Sequence, residues 1–258
     1  MTYENSKSVD SSVEESQNNL SKRQKKGEFV RGVSGFRNYL GNNSQFQPEE
    51  NRYHLFVALN CPWCHRVTLA RSILGLDDSI SMDIAFPNRT DSDHDFGSNQ
   101  WEFAPLKKAS LTGKRLPECT NDTATGKKFR VVSQIYQEEA SKETSLPILY
   151  DKKTKKIVSN ESAEIIRMLN EHSQSLGSKL KKNNIINLYP RELQPIIDKF
   201  NKLIYVNINN GAYKAGFSSS QEIYKIAYTN YFETLSKLDN ELKSHGCLFL
   251  TGDQFTEA

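Results

Sequence analysis

The sequence predicts an α/β domain followed by an all-helical domain, and three observations support this prediction. A nearly continuous apolar run at residues 53–59 precedes a helical pattern, which is typical of a strand buried on both faces that leads into a helix. A short hairpin and another helix follow between residues 146 and 170. Beyond residue 190 the apolar side chains recur at helical spacing, so this part of the chain predicts helices alone.

The first domain is predicted over residues 27–175. Its strands and helices alternate, with strands at residues 53–59, 80–86, 146–150 and 156–159, a helix that ends before Gly75, and helices at 129–140 and 161–170. A long insert near residues 87–130 has little apolar periodicity, and a loop of that length inside a domain is often functional. Asn160 is the predicted N-cap of the last helix, because its side-chain oxygen can accept a hydrogen bond from the first turn.

The second domain is predicted over residues 190–258. Apolar residues fall at i, i+3, i+4, i+7, i+10 and i+11, as in an amphipathic helix, at Leu193, Ile196, Ile197, Phe200, Leu203 and Ile204. Pro195 suits the first turn of that helix, and a second long helix follows around residues 223–242. Thr256 is a good N-cap with almost no chain after it. We therefore expect this all-helical domain to be incomplete and the chain to be truncated.

The first 26 residues differ in composition from the rest of the chain. Residues 1–26 are polar and low in sequence complexity. Such a stretch cannot bury enough apolar surface to offset the entropy lost on ordering it. A disordered tail is therefore predicted.

Composition and charge exclude several classes of protein. The net charge of +3, from 34 basic and 31 acidic residues, is too small and too mixed to indicate nucleic-acid binding. No window holds the ~18 consecutive apolar residues of a membrane span, and no apolar signal sequence begins the chain. Four cysteines do not form a secreted disulfide framework. We expect a cytoplasmic protein. Because that compartment is reducing, we expect its cysteines to be reactive thiols or ligands and not structural disulfides.

The most informative motif is Cys61-Pro62-Trp63-Cys64, at the junction of the buried strand and the first helix. A helix N-terminus carries unpaired N–H groups and a partial positive charge, and both favour a thiolate at Cys61. Arg66 is expected to add a nearby cation. A CxxC motif in this β-α-β setting predicts a thioredoxin-like redox site.

Zinc binding and inert thiols are the alternative interpretations of this motif. A single CxxC is half of a zinc site. The other half would have to come from Cys119, Cys247 or a distant histidine, and none of these is paired at ligand spacing. We therefore expect no metal, and we expect that Cys119 and Cys247 take no part in the redox chemistry.

Two further features fit a site for a small peptide. Pro147 opens a strand, and the Leu146–Pro147 bond is expected to be cis, with the backbone before it free to bind a peptide. Glu161 and Ser162 lie at a helix start, where N–H groups and the Ser162 hydroxyl can receive a carboxylate. Ordinary trans geometry and plain helix capping are the simpler alternatives for these two features. Together with Cys61, the three features would hold both the thiol and the carboxylate ends of a peptide.

In these residues the chain resembles glutathione transferases of the xi class, the omega-like enzymes called glutathionyl-hydroquinone reductases. The matching stretches are spread from near residue 27 to the end of the chain, at residues 27–31, 52–55, 61–66, 146–169, 208–217 and 250–258. The resemblance implies a thioredoxin-like N-terminal domain, a glutathione-transferase helical C-terminal domain, and glutathione as cosubstrate.

The resemblance also implies roles for individual residues. Cys61 would attack the sulfur of a glutathionyl-hydroquinone or a similar small electrophilic conjugate, and a second glutathione would then release the mixed disulfide. Trp63 and Ile148 would contact glutathione, and Glu161 with Ser162 would hold its γ-glutamyl end. Tyr213 would face the electrophilic substrate; its alternative is a core helix tyrosine.

This chain departs from the family pattern in two places besides its end. The family usually has Ala where this chain has Cys64, so Cys64 is a second thiol whose part in the reaction is open. Residues 89–125 match the family poorly apart from residues 101–103. A non-catalytic glutathione-binding or regulatory module is the alternative function. The sequence leaves open the natural substrate and the oligomeric state, a homodimer included.

Overall fold

The structure, a computed structural model, describes residues 27–104, 119–181 and 186–258. The tail predicted at residues 1–26 lies outside the described residues, as does the middle of the predicted insert. The described chain divides into two compact units. One comprises residues 33–190 with Glu257, and the other comprises residues 27–32 and 191–256 with Ala258.

The first unit is built on a four-stranded mixed sheet in the order β2–β1–β3–β4. The strands are β1 (Tyr53–Val57), β2 (Ser81–Ile84), β3 (Ile148–Asp151) and β4 (Lys156–Ser159). Strand β1 pairs in parallel with β2 and antiparallel with β3, and β3 pairs antiparallel with β4. Every residue of β1 and β3 is buried, as the continuous apolar run predicts for central strands.

Three helices complete this unit: α1 (Pro62–Ile73), α2 (Val132–Gln137) and α3 (Ser162–Glu171). Helices α1 and α3 pack against each other, and α1 buries Val67 and Ala70 as its spacing predicts. The prediction of a thioredoxin-like α/β domain is confirmed.

Helix α2 is shorter than the helix predicted over residues 129–140. The chain before it is extended, because Val131 bridges to Glu102 and the Arg130 carbonyl accepts the Phe103 N–H at 2.8 Å. The Gln134 side chain also accepts the N–H groups of Arg130 and Val131, at 2.9 and 3.2 Å. The Arg130 and Val131 N–H groups and the Arg130 carbonyl are thus bonded outside the helix, so the helix begins only at Val132.

A buried ion pair joins the ends of β1 and β3. The Arg52 guanidinium donates two hydrogen bonds to the Asp151 carboxylate, from Nε at 2.9 Å and from Nη2 at 2.6 Å. The Arg52 side chain is 5% exposed and that of Asp151 is fully buried. Asp151 also accepts the Lys153 N–H at 2.9 Å and the Thr154 hydroxyl at 2.8 Å. The hairpin turn between β3 and β4 is therefore organised around this carboxylate.

The second unit is helical, as predicted. A short 3-10 turn leads into α4 (Gln194–Ile204), a π-helical turn (Tyr205–Asn209) continues it into α5 (Asn210–Gly216), and α6 (Gln221–His245) follows. Pro195 lies in the first turn of α4. Within the described residues, no helix combines the length and the apolar character needed to cross a bilayer.

Residues 27–32 belong to the helical unit, whereas the sequence placed them in the first domain. The Phe29 ring lies 5.4 Å from that of Phe217 and 5.9 Å from that of Tyr213, between ring centroids. The Arg31 Nε donates to Asn210 Oδ1 at 2.7 Å. These aromatic and polar contacts attach the segment to α5, and no short-range pattern in its sequence indicates them.

Candidate active site

The candidate site starts at the turn between β1 and α1. The Cys61 N–H donates to the Ala58 carbonyl at 3.0 Å, and the His65 N–H donates to the Cys61 carbonyl at 2.9 Å. Cys61 is therefore the N-cap of α1, with Pro62 in the first turn, where proline costs no hydrogen bond. The Cys61 side chain is 7% exposed. The predicted placement of Cys61 at a strand–helix junction is confirmed.

The second cysteine supports the first through a short series of hydrogen bonds. The Ala58 N–H donates to Cys64 Sγ at 3.4 Å, and the Cys64 thiol hydrogen-bonds to the Cys61 sulfur. That hydrogen bond, with backbone N–H groups of Cys64 and Trp63, outweighs burial and lowers the pKa of Cys61 to about 7. Burial raises the pKa of Cys64 well above its ordinary value. Cys61 is therefore the thiolate, and Cys64 stays a protonated donor.

The cation that helps lower the pKa of Cys61 is Arg89, and not Arg66 as the sequence predicted. Arg66 is five residues beyond Cys61, which turns it roughly 140° around the helix axis. Burial lowers the pKa of Arg66, which faces the carboxylates of Glu257 and Glu161. The Arg89 guanidinium lies 3.6 Å from the ring centroid of Trp101. Arg89 comes from the irregular insert, so no periodic pattern in the sequence indicated it.

The segment before Pro147 meets Cys61, as expected for a thioredoxin-like site. The Leu146–Pro147 peptide bond is cis, which confirms that prediction. When protonated, the Cys61 thiol donates to the Leu146 carbonyl oxygen, 3.7 Å from Sγ. Just upstream, the buried Tyr136 hydroxyl donates to the Ser145 carbonyl at 3.0 Å. The structure thus brings Cys61, Cys64 and the backbone at Leu146 together.

The N-terminus of α3 is capped by Glu161, and not by Asn160 as the sequence predicted. A Glu161 carboxylate oxygen accepts the Ala163 N–H at 3.3 Å, and the other accepts the Ser34 hydroxyl at 3.2 Å. The Asn160 side chain instead accepts the Phe36 N–H at 3.2 Å and donates to the Tyr136 hydroxyl at 3.1 Å. These long-range partners take Asn160 away from the helix.

The other predicted site residues are placed in different surroundings. Ser162 is the first residue of α3 and is 3% exposed. Trp63 is partly buried against the core. Ile148 is fully buried in β3, so only its backbone is available to a ligand. Tyr213 lies on α5 in the helical unit, with its ring centroid 4.2 Å from the Arg31 guanidinium carbon. The roles assigned to these residues stay predictions.

No metal site accompanies the cysteines in the part of the chain that the structure describes. Residues 27–104, 119–181 and 186–258 contain no group of three or more His, Cys, Asp or Glu side chains that could hold a metal ion. Cys119 and Cys247 are partly exposed, and all four cysteines are free thiols. The arrangement at α1 suits thiol chemistry, because it places a thiol of lowered pKa beside a protonated one.

The pH dependence of Cys61 alkylation is a direct test of this arrangement. We expect the rate to rise with pH around a midpoint of about 7, because the thiolate is the reactive form. Cys64→Ala removes the thiol donor and should raise the midpoint to roughly pH 8, since a hydrogen bond to a charged group is worth about 1.5–3 kcal/mol. The measurement is iodoacetamide labelling across pH, followed on the Cys61 peptide by mass spectrometry.

Cys64→Ser is the matched control for that experiment. Its hydroxyl keeps a donor at the same position, so the midpoint should stay near that of the unchanged chain. An unchanged midpoint in Cys64→Ala would show that the backbone N–H groups alone set the pKa of Cys61.

Comparison with known proteins places the first unit in a described family. Residues 60–172 match the family model "Glutathione S-transferase, N-terminal domain". The chain is 38% identical to "Glutathionyl-hydroquinone reductase YqjG" of Escherichia coli, over 90% of this chain and 66% of that protein. It is 35% identical to "Glutathione S-transferase omega-like 2" of Schizosaccharomyces pombe, over 90% of this chain and 69% of that protein. The chain thus spans 66% of the length of the first of these relatives.

Solved structures show the same similarity over both units. The glutathione-S-transferase Xi from Phanerochaete chrysosporium matches with a TM-score of 0.77 and 35% identity, over 90% of this chain and 68% of that one. The glutathione-bound structure of YqjG from Escherichia coli matches with a TM-score of 0.71 and 37% identity, over 90% of this chain and 71% of that one.

Proposed function

The chain belongs to the glutathione transferase family, among the xi-class glutathionyl-hydroquinone reductases, and we propose from this premise that it is a glutathione-dependent enzyme acting through Cys61. Its reaction is the reductive removal of glutathione from glutathionyl-hydroquinones or similar small conjugates. The observation that carries this proposal is Cys61 at the N-cap position of α1, with its pKa lowered to about 7. A thiolate at neutral pH is the nucleophile that such a reaction requires.

The proposed cycle has two steps. In the first, the Cys61 thiolate attacks the sulfur of the conjugate, the carbon–sulfur bond breaks, and the ring carbon takes up a proton. This leaves free hydroquinone and a Cys61–glutathione mixed disulfide. In the second, the thiolate of another glutathione attacks the glutathionyl sulfur of that disulfide. Oxidised glutathione is released and the Cys61 thiolate is restored, so one conjugate and one glutathione are consumed in each cycle.

The residues around Cys61 offer a place for each part of glutathione. The cysteinyl backbone would lie along the segment at Leu146, whose carbonyl is already within reach of the Cys61 sulfur. The γ-glutamyl carboxylate would bind the N-terminus of α3 and the Ser162 hydroxyl, because a helix N-terminus attracts anions. The γ-glutamyl ammonium would face the Glu161 carboxylate. Trp63 and the Ile148 backbone complete the proposed contacts. The glutathione bound to the Escherichia coli relative supports glutathione as the cosubstrate.

Mass spectrometry of the protein after reaction with a glutathionyl-hydroquinone tests this function. We expect free hydroquinone and a mass increase of one glutathionyl group on the Cys61 peptide, removed by added glutathione. Cys119→Ala serves as the control and should react like the unchanged chain, because the proposed cycle gives Cys119 no step. Retention on glutathione-agarose without any adduct on Cys61 would overturn the proposal and favour the non-catalytic binding module. The quinone-derived substrate, a homodimer and a cytoplasmic location stay predictions.

A further inference from the structure

In the proposed cycle only Cys61 forms a bond to glutathione, and Cys64 acts solely as a hydrogen-bond donor to it. Cys61 is the N-cap of α1 and Cys64 lies in the first turn, which the 2.9 Å hydrogen bond from the His65 N–H to the Cys61 carbonyl closes. Cys64 is fully buried, and its sulfur is held by the Ala58 N–H at 3.4 Å. Its side chain hydrogen-bonds to that of Cys61. The second cysteine is thus already positioned against the atom that carries glutathione in the mixed disulfide.

We infer that Cys64 can resolve the Cys61–glutathione disulfide from within the chain, which stores the enzyme as a reversible Cys61–Cys64 disulfide when reduced glutathione is scarce. The inference rests on the proposed function, because the mixed disulfide is the species that Cys64 attacks. It adds an activity that a single thiol cannot have. The site would then exchange electrons with the glutathione pool as a dithiol.

The exchange balances without any further reactant. The Cys64 sulfur attacks the Cys61 sulfur, the bond between Cys61 and glutathione breaks, and glutathione departs as the thiolate. The proton that Cys64 loses ends on that glutathione. The products are the Cys61–Cys64 disulfide and one reduced glutathione. In the reverse direction, a glutathione thiolate attacks Cys61, which restores the mixed disulfide and the Cys64 thiol.

The position of the two cysteines at the start of α1 suits this bond. Cys61 is the N-cap residue, with an extended backbone, and Cys64 is the third residue of the helix. An N-cap side chain turns back toward the second and third helical residues, so the Cys61 side chain is directed toward Cys64. Neither residue has a positive φ. A disulfide spans Cα atoms roughly 4.4–6.8 Å apart, a separation that residues three apart at a helix start can meet by rotation of their side chains.

Two routes compete for the mixed disulfide, and the concentration of glutathione decides between them. Attack by a second glutathione is bimolecular, so its rate rises with the concentration of reduced glutathione. Attack by Cys64 is intramolecular and independent of that concentration. Burial keeps Cys64 protonated, which slows its attack because only the thiolate is nucleophilic. Abundant glutathione therefore favours turnover, and scarce glutathione favours the internal disulfide.

The test is to equilibrate the full chain in buffers of decreasing ratio of reduced to oxidised glutathione, then to quench with acid and alkylate. In the unchanged chain we expect a species two hydrogens lighter, with Cys61 and Cys64 linked and both protected from alkylation. Cys64→Ala should hold roughly tenfold more Cys61–glutathione adduct at the same ratio, because no internal thiol can displace it. Cys119→Ala is the control, and it should form the linked species like the unchanged chain.

The outcomes separate this inference from the proposed function. If the unchanged chain carries glutathione on Cys61 with Cys64 free at every ratio, the inference is overturned while the proposed function stands. If the disulfide joins Cys61 to Cys119 or Cys247, the inference is overturned as well. If neither the unchanged chain nor Cys64→Ala forms an adduct or releases hydroquinone from a conjugate, both proposals fail. Cys64→Ser gives a second variant that keeps a polar side chain, should Cys64→Ala fold poorly.

Discussion

Cys61→Ser is expected to abolish the release of hydroquinone from glutathionyl-hydroquinones and to leave no glutathione adduct on the chain. A serine hydroxyl is almost wholly protonated at neutral pH, and it cannot form a disulfide with glutathione. Loss of the group that bonds to the substrate costs on the order of a thousandfold or more in turnover. The substitution is nearly isosteric, and the N-cap of α1 is a position where serine is favoured. The fold should therefore be kept.

The measurement compares initial rates for the unchanged chain, Cys61→Ser and Cys64→Ala at about pH 9, roughly one unit above the highest midpoint expected for Cys61, so that this thiol is largely ionised in every chain that contains it. We expect Cys64→Ala to keep most of the rate, because the proposed cycle takes its second thiol from glutathione. Circular dichroism and thermal melting check that each variant is folded. Loss of turnover in Cys64→Ala together with its retention in Cys61→Ser would reverse the assignment of the nucleophile.

Asp151→Asn is expected to lower the free energy of unfolding of the α/β unit by about 3–5 kcal/mol, because it removes the buried charge partner of Arg52 and leaves that guanidinium only the exposed Glu49 carboxylate, at 3.4 Å. The paired hydrogen bonds from Arg52 to Asp151 measure 2.9 and 2.6 Å. An amide can accept only one of them and must turn its NH₂ group toward a donor. The same substitution weakens the turn after β3, where Asp151 accepts from Lys153 and Thr154.

Urea unfolding followed by tryptophan fluorescence measures this loss. Glu138→Gln removes an exposed ion pair with Lys127 and is the matched control; it should change stability by less than about 1 kcal/mol.

The same ion pair makes stability depend on pH. Burial alone would raise the pKa of Asp151, but the hydrogen bonds from Arg52 and Thr154 lower it below its ordinary value. A lowered carboxyl pKa adds stability above roughly pH 4 that is lost as the pH falls below it. Equal losses of unfolding free energy in Asp151→Asn and Glu138→Gln would contradict the importance assigned to the buried ion pair.

The central part of the fold could be predicted from sequence because its signals are local. The apolar run of β1 required a strand buried on both faces, and the CxxC motif directly after it marked the start of α1. The hairpin of β3 and β4 followed from two short apolar runs joined by a turn. Pro147 at the entry of a strand, considered together with that motif, was sufficient to predict the cis bond.

The predictions that failed depended on partners distant in sequence. Asn160 and Glu161 are both plausible N-caps for α3. Asn160 does not cap the helix because its side chain hydrogen-bonds to the Phe36 N–H and the Tyr136 hydroxyl. Arg89 reaches the neighbourhood of Cys61 from a segment held by single backbone bridges, such as that of Ala85 with Phe103. An isolated β-bridge imposes no regular spacing of apolar residues on the sequence, so it cannot be predicted from such a pattern. For the same reason nothing local indicated that residues 27–32 pack on α5.

The π-helical turn (Tyr205–Asn209) makes the direction of Tyr213 depend on the length of the chain before it. A π-helical turn holds one residue more than an α-helical turn, and each residue of a helix advances it by roughly 100°. Asn210 and Tyr213 are therefore rotated by that angle from where an uninterrupted helix would direct them. In this orientation Asn210 meets Arg31 at 2.7 Å. Deleting a single residue between 205 and 209 would give a regular helix and turn both side chains away from Arg31 and Phe29.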